Sequence, residues 1–564
     1  MLKYAERVVR MNSFFIVLGI FLFGVILALF IQEYFLKKSR RQNIQKRFGT
    51  IPPERNYDYE GIASYWEEIK NQIPIEQQVD DITWNDLEMD KVYERINQCC
   101  SSVGEEYLYA TLHQLHWSEE ELSGLEEKIQ YFGARGEERI KMMEYLLALG
   151  KKPRNFLIPF LNHTDIFEIP HILIYGILQF LLFGSLIGAL VQQNALWITI
   201  LIVIAGINLV VFECQHAKYE RSVVTLSYIT RLLFTAKKIV KSKETSFEET
   251  FHELQEPSSS FRSFSKSVQS LELHTQTRLS GVGLELIFEY IRGITLVDFT
   301  KYHKVMKALK GKKDSFFKIY HSIGQIDCAI SILSFRYSSP FYCTPEFKSN
   351  MDSIKAEEIY HPLIQNAITN TISFDSCIIL SGSNASGKST FIKAIALNAI
   401  LAQSIHTCLA TQFVMPRSSI VTSMAVRDDI ISGDSYFIRE LNYLNRILSI
   451  LNEERNTLCF IDEILRGTNT VERIAASIAV IKYLVQKNCI SIVATHDVEL
   501  TEELKDTCDN YHFREVLNEG DVKFDYKLYH GPTTTRNAIL LLERMGYPEE
   551  IIRTANRYVN SITN

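Results

Sequence analysis

The chain has 564 residues, 22% of them charged and 46% hydrophobic, with a formal net charge of −6. One hydrophobic core rarely organises more than about 100–200 residues, so a single-domain protein is excluded and several modules are expected. The acidic balance argues against a protein that coats nucleic acid with its whole surface and leaves only a local patch for such contact. Ten cysteines lie scattered, without C-x-x-C pairs or histidines at zinc spacing, as in a reduced compartment.

In chain order, Phe14 to Ile31 carries no charge. That length approaches the roughly 20 residues a helix needs to cross a bilayer, so residues 1–36 are expected to form a transmembrane anchor. A cleaved signal peptide would have an apolar region of about 7–15 residues and an A-x-A-like site, and neither fits. Lys37, Lys38, Arg40, Arg41, Lys46 and Arg47 follow the span, against Lys3, Arg7 and Arg10 before it. The segment after the span should therefore face the cytoplasm, with residues 37–80 as a basic linker.

Ile172 to Val191 and Ala195 to Phe212 are apolar runs separated only by Gln192, Gln193 and Asn194, which predicts a transmembrane hairpin over 169–213. Buried helices of a soluble domain would be unusual at this length with almost no polar face. Because a hairpin returns the chain to the same side, everything after Glu213 is expected in the cytosol, where ATP is available. Gly184 and Gly188 form a small-xxx-small pattern suited to close helix approach, either within the hairpin or between chains. From Glu213 to Ser338 the sequence reads as long helices with a break near Pro257-Ser-Ser-Ser260. Lys301, Lys304, Lys307 and Lys310 recur every three residues there, followed by Lys312 and Lys313. This stripe is either a solvated face or a surface for phosphates of nucleic acid or anionic lipid.

The strongest chemistry begins at Cys377-Ile-Ile-Leu, a short buried strand followed by Gly382-Ser383-Asn384-Ala385-Ser386-Gly387-Lys388-Ser389 and a helical run from Thr390. Glycines let backbone amides turn inward around a β-phosphate, Lys388 reaches the β and γ oxygens, and the Ser389 hydroxyl ligates Mg²⁺ at the positive end of the helix. A second apolar strand, Leu458-Cys-Phe-Ile461, ends in Asp462-Glu463. One carboxylate suits the Mg²⁺ shell and its neighbour the attacking water. Ile490-Ser-Ile-Val-Ala-Thr495-His496 follows, and a histidine at that strand end can hydrogen-bond a γ-phosphate.

Taken together, these residues resemble the MutS DNA mismatch-repair family. Ser381 to Thr390 looks like its phosphate loop, and Asp462-Glu463-Ile-Leu-Arg466-Gly467-Thr468-Asn-Thr470 like its Mg²⁺ strand. Asp428-Asp429-Ile-Ile-Ser432-Gly433-Asp434-Ser435-Tyr-Phe437 is similar to its signature loop, Thr495-His496-Asp-Val-Glu499-Leu500 to its final switch, and His361-Pro362-Leu363-Ile364 to the start of its ATPase domain. Weaker likeness runs from Asp81 to Leu108, as the start of the family's helical core, and from Ile326 to Phe347, as its end. The resemblance implies an α/β P-loop NTPase domain of ABC-like, MutS type over 347–564. Before it would come an all-α core and lever over 81–168 and 214–346, and three transmembrane helices in all. It implies ATP and Mg²⁺ as cofactors, ATP-binding residues from Gly382 to Thr390, and a homodimer in which Ser432, Gly433, Asp434 and Ser435 complete the partner's site.

Several features depart from the family. Its N-terminal mismatch-reading domain and its DNA clamp have no counterpart, and the Phe-x-Glu tripeptides at Phe247 and Phe251 read as surface composition. Ser386 and Leu465 stand where the family usually has glycine, each costing about 1 kcal/mol or more if its position demands positive φ. The expected function is a membrane-anchored ATPase switch with Glu463, Lys388 and His496 in catalysis and Ser389 and Asp462 on the metal. Membrane lipid surrounds it, and DNA is a candidate ligand without mismatch reading. The alternative is a nucleotide-controlled membrane scaffold acting on a protein partner. An ABC-type transporter fits poorly, since three spans make a poor pathway and no Leu-Ser-Gly-Gly signature occurs.

Overall fold

A computed structural model describes residues 31–32, 35, 38–116, 118–151, 157–158, 172–192, 194–241, 248–261, 284–309, 311–348, 353–383, 386–424, 436–451, 456–487, 489–518, 521–533, 539, 542–543 and 546–563. Apart from Ile31, the expected first span lies outside them, as do Asn384, Ala385 and Ser432 to Ser435.

The helical region begins earlier than its composition suggests. Helix Tyr59–Ile69 sets Ile62, Tyr65 and Trp66 at i, i+3 and i+4, and all three are buried. Ile44, in a helical stretch over 38–47, is buried as well. The expected basic linker over 37–80 is therefore corrected: its charges stand on helices whose apolar stripes join the core. Helices Asp81–Asp86, Met89–Ile96, Ser102–Leu112, Glu119–Ala134 and Gly136–Leu149 follow, and the long helix Lys313–Tyr337 packs among them. Its Asp327, wholly buried, accepts from the Cys100 and Ser101 amides (2.9 and 2.8 Å) and the Ser101 hydroxyl (2.6 Å), just ahead of helix Ser102–Leu112.

Helices Ile172–Gln192 and Ala195–Lys241 form an antiparallel pair, and two segments, Ile172–Gln192 and Ala195–Gln215, are long and apolar enough to cross a membrane. A Cβ on Gly188 would come within 2.6 Å of the Trp197 ring, whereas Gly184 has open space, so only one of the two glycines serves hairpin packing. The apolar segment ends at Gln215, close to the boundary expected at 213, while the helix itself continues without interruption to Lys241, because the polar residues that end the apolar run do not end helix propensity. Pro257 lies in the last turn of helix Glu248–Ser260, where its ring and missing N–H remove one i→i−4 bond, and the helix ends three residues later, within the stretch where a break is expected.

The C-terminal region holds two sheets. β1 (Glu346–Phe347), β5 (Gln412–Met415), β2 (Ile354–Ile359) and β3 (Asn370–Phe374) form the smaller one in that order. The larger runs β10 (Asp521–His530), β9 (Asp509–Asn518), β4 (Cys377–Ser381), β8 (Cys489–Ala494), β7 (Asn456–Asp462) and β6 (Ser418–Ser423). All its pairings are parallel except β10 on β9. Residues of β4, β6 and β8 are buried on both faces, as a covered parallel sheet requires.

Polar contacts join this region to the helical one. Asp86 accepts from the Thr422 hydroxyl (2.7 Å) and the Met424 amide (2.9 Å) at the end of β6. Arg446 pairs with Asp80 (2.5 Å). Arg336 grips Glu126 through two bonds (2.9 and 2.6 Å) while His406 meets the same carboxylate at 3.1 Å. One continuous apolar cluster extends from Trp66 and Tyr93 through Ile395 and Phe413 to Phe513.

Candidate functional site

The carboxyl end of β4, between β8 and β9, is where an open parallel sheet offers a crevice. Gly382 and Gly387 have φ of 140° and 108°, values that L side chains rarely adopt. A Cβ on Gly382 would also stand 2.8 Å from the Phe513 carbonyl oxygen, so the turn requires glycine twice over. Gly387 leads into helix Lys388–Ile405, whose N-terminal amides face the loop. Lys388 Nζ donates to the Gly382 and Ser383 carbonyls (2.6 and 2.8 Å), and burial pulls its pKa below the usual lysine range. Ser383 Oγ and Ser386 Oγ are buried without a hydrogen-bond partner among the described residues. Two idle hydroxyls, a lysine and a helix N-terminus make a donor set suited to a phosphate chain.

β7 delivers the acids. Ser389 Oγ donates to Asp462 Oδ2 at 2.5 Å, which brings a hydroxyl and a carboxylate oxygen together at one point. Among the described residues no group of three or more His, Cys, Asp or Glu side chains is placed to hold a metal. The Ser389–Asp462 pair nevertheless fits Mg²⁺, which usually takes one or two protein oxygens and completes its shell with water and phosphate. Glu463 follows with φ of 66°, and its amide donates to the Ala494 carbonyl (3.0 Å), so the ends of β7 and β8 are stitched together. Its carboxylate pairs with Arg466 and lies 3.1 Å from His496 Nδ1. Thr495 N donates to Leu380 O (3.0 Å), which fixes His496 relative to β4.

Lys388, Ser389 and Glu463 open on one cavity of about 940 Å³. Ser383, Gly387, Lys388, Ser389, Thr390, Glu463 and Arg466 are among its lining residues. His361, Ile364, Ile368, Phe524 and Tyr526 add a mixed apolar and aromatic lining suited to a flat ring. The structure thus brings together Lys388, Ser389, Asp462, Glu463 and His496.

Motif reading passes over other residues. Tyr526 sits in a bulge of β10 with φ of 54°, its ring 3.1 Å from where a Gly387 Cβ would be. Asn370 secures that bulge, donating to Tyr526 O (3.0 Å) and accepting from Leu528 N (2.8 Å). Glu440, buried on helix Tyr436–Ile450, accepts from the Arg466 and Gly467 amides (3.0 and 3.1 Å) and holds the turn after the acid pair. Arg473 clamps Asp497 (2.6 and 3.1 Å) beside His496. An acid on the apolar face of a helix is the one signal that marks Glu440 in advance. Of the two positions where glycine was expected, only Leu465 has positive φ (56°), and Ser386 is free of that strain.

Residues 378–563 match the family model of MutS domain V. The chain is 32% identical over 276 residues to the DNA mismatch repair protein MutS of Pseudothermotoga lettingae, covering 47% of this chain and 33% of that protein. Identity is 30% over 270 residues with the protein of the same name from Thermotoga maritima, covering 45% and 33%. With that of Lactobacillus helveticus it is 31% over 234 residues, covering 39% and 27%. The chain therefore spans about a third of the length of these relatives.

Proposed function

We propose, from the premise that this chain belongs to the MutS family through its C-terminal region, that it is a membrane-anchored P-loop ATPase working as a dimeric switch. The observation that carries the reading is the meeting of Lys388, Ser389 and Glu463 in the lining of one cavity, with Ser389 Oγ 2.5 Å from Asp462. Lys388 and the helix N-terminus hold the phosphates and offset charge that develops on them. Ser389 and Asp462 would hold Mg²⁺, which supplies positive charge to the phosphate oxygens when bound. Glu463 orients the attacking water and takes its proton. Arg466 and His496 keep that carboxylate in place, and His496 stands where it can register loss of the γ-phosphate.

The membrane anchor is supported by the hairpin, where Leu173, Phe180, Leu190 and Val191 are each more than two-thirds exposed. A continuous apolar surface of that size is foreign to a soluble monomer. We assign Ser432, Gly433, Asp434 and Ser435 to the partner's site, so that hydrolysis releases contacts that hold two copies together. The relatives' name points to DNA as cargo. Salt-dependent retention of duplex DNA by the full chain supports that cargo, and none at low salt leaves a protein partner in its place. The decisive test of the site is Glu463→Gln. It should keep ATP binding while steady-state hydrolysis falls about 100-fold or more, and undiminished turnover would remove Glu463 from the reaction.

A further inference from the structure

Two helices outside the ATPase region dip along the base of the hairpin. Helix Leu284–Thr295 approaches so closely at Gly293 that a Cβ there would lie 2.9 Å from Leu209 and 3.2 Å from Phe212, and Asn208 donates to Ile294 O at 2.7 Å. Leu296, with φ of 50°, turns the chain into helix Val297–Leu309. There the Phe299 ring meets Tyr175 at a tilt (5.0 Å between centroids) and Thr300 accepts from Gln179 (3.2 Å). Asn208 stands seven residues before Gln215, the end of its apolar segment, so this turn lies roughly 10 Å inside the span at 1.5 Å per residue. The second helix then climbs back toward the cytosolic end.

Between that helix and the first hairpin helix lies a groove of about 410 Å³. Leu173, Gly176 and Phe180 contribute its apolar wall, and Thr300, His303 and Lys304 the facing side. Leu173 and Phe180 are each 78% exposed, a greasy track running along the span. Lys304 is exposed at the groove, with Lys307 exposed one turn nearer the core. Among the described residues no acid lines the groove, and the nearby Asp298 is engaged by Arg292 (2.6 Å). An apolar track ending under a basic rim at interfacial depth has the chemistry of a phospholipid, with a chain on the wall and an anionic phosphate at the rim.

We propose that this groove binds one anionic phospholipid, held by His303 and Lys304 and seated on Leu173 and Phe180. The proposal rests on the membrane reading above. A free phosphate would make no use of the wall, and a zwitterionic lipid would gain little from the rim.

The test uses the full chain, extracted in detergent, stripped of lipid and offered phosphatidylglycerol or phosphatidylcholine at equal mole fraction, with retained lipid read by native mass spectrometry. Phosphatidylglycerol should be retained selectively. Lys304→Ala should weaken retention about fivefold, the ratio expected for one basic side chain near an anionic surface. Gly176→Phe should abolish it by filling the groove, since a Cβ there meets nothing within 4 Å. Equal retention of both lipids, retention that neither variant alters, or displacement by inorganic phosphate would each overturn the proposal. A carbonate wash of the parent membranes separates the two claims. Release of the chain defeats membrane insertion itself, whereas a chain that stays and shows no lipid preference defeats only the groove.

Discussion

Helices Ile172–Gln192 and Lys388–Ile405 are both rich in apolar residues along most of their length, yet they meet opposite surroundings. In the first, three of 21 residues are buried, and in the second fifteen of 18. The second has protein on nearly every side, with the sheet beneath it and helix Ser102–Leu112 against it, so its composition is accounted for by the fold. Among the described residues the first is met only along part of its surface, by helices Ala195–Lys241 and Val297–Leu309, and most of it is left uncovered. Composition alone therefore does not separate an enclosed helix from an uncovered one; what separates them is whether the rest of the chain supplies apolar surroundings.

Substitutions can break or sharpen this contrast. The largest effect should come from Ile395→Ala, which empties a fully buried site on helix Lys388–Ile405 and should cost about 2–5 kcal/mol in denaturant unfolding. A loss below that range would mean the helix is less enclosed than its burial indicates.

Next comes Glu126→Gln at the junction of the helical and C-terminal regions. Burial works to raise the Glu126 pKa, but hydrogen bonds from Arg336 and His406 outweigh it and hold it at about 2, against an ordinary 4.5. A depressed carboxyl contributes stability that is present above its unfolded value and lost as pH falls through the folded one, here between about 4.5 and 2. The variant should lower stability at neutral pH by about 1–3 kcal/mol and flatten the acid limb in that window, as read by melting curves. An unchanged acid limb would remove this carboxylate from the junction. The smallest effect should be that of Phe180→Ala, within about 0.5 kcal/mol in detergent, because its side chain faces outward. A change as large as that of Ile395→Ala would show that the hairpin face is covered by protein after all.

The legible parts of the sequence are those where local chemistry leaves few alternatives. Gly382 and Gly387 are required by positive φ, Lys388, Ser389, Asp462 and Glu463 stand out as reactive side chains at the ends of apolar runs, and β4, β7 and β8 show as those short runs. The apolar length of the hairpin is equally local. Features set by tertiary register were not visible. Asn370 finds the β10 bulge only once the two sheets are placed side by side, and Tyr59–Ile69 looked like linker until its stripe met the core. Leu465 shows why a departure from a motif must be judged on backbone geometry. Left-handed φ costs it roughly 1–2 kcal/mol, but its nearly complete burial beside Ile464 returns about 1.5–3 kcal/mol. Ser386, flagged for the same reason, carries no such strain.

The central claim is that a nucleotide and its metal seat between the β4 turn and the β7 acids on a lipid-borne body. Equilibrium titration of ATP into the full chain in lipid nanodiscs, with and without Mg²⁺, measures this directly. Saturable, magnesium-dependent binding that Lys388→Ala abolishes is the predicted result. A wild-type chain that binds no ATP with magnesium present, or a Lys388→Ala chain that binds it undiminished, would contradict the account.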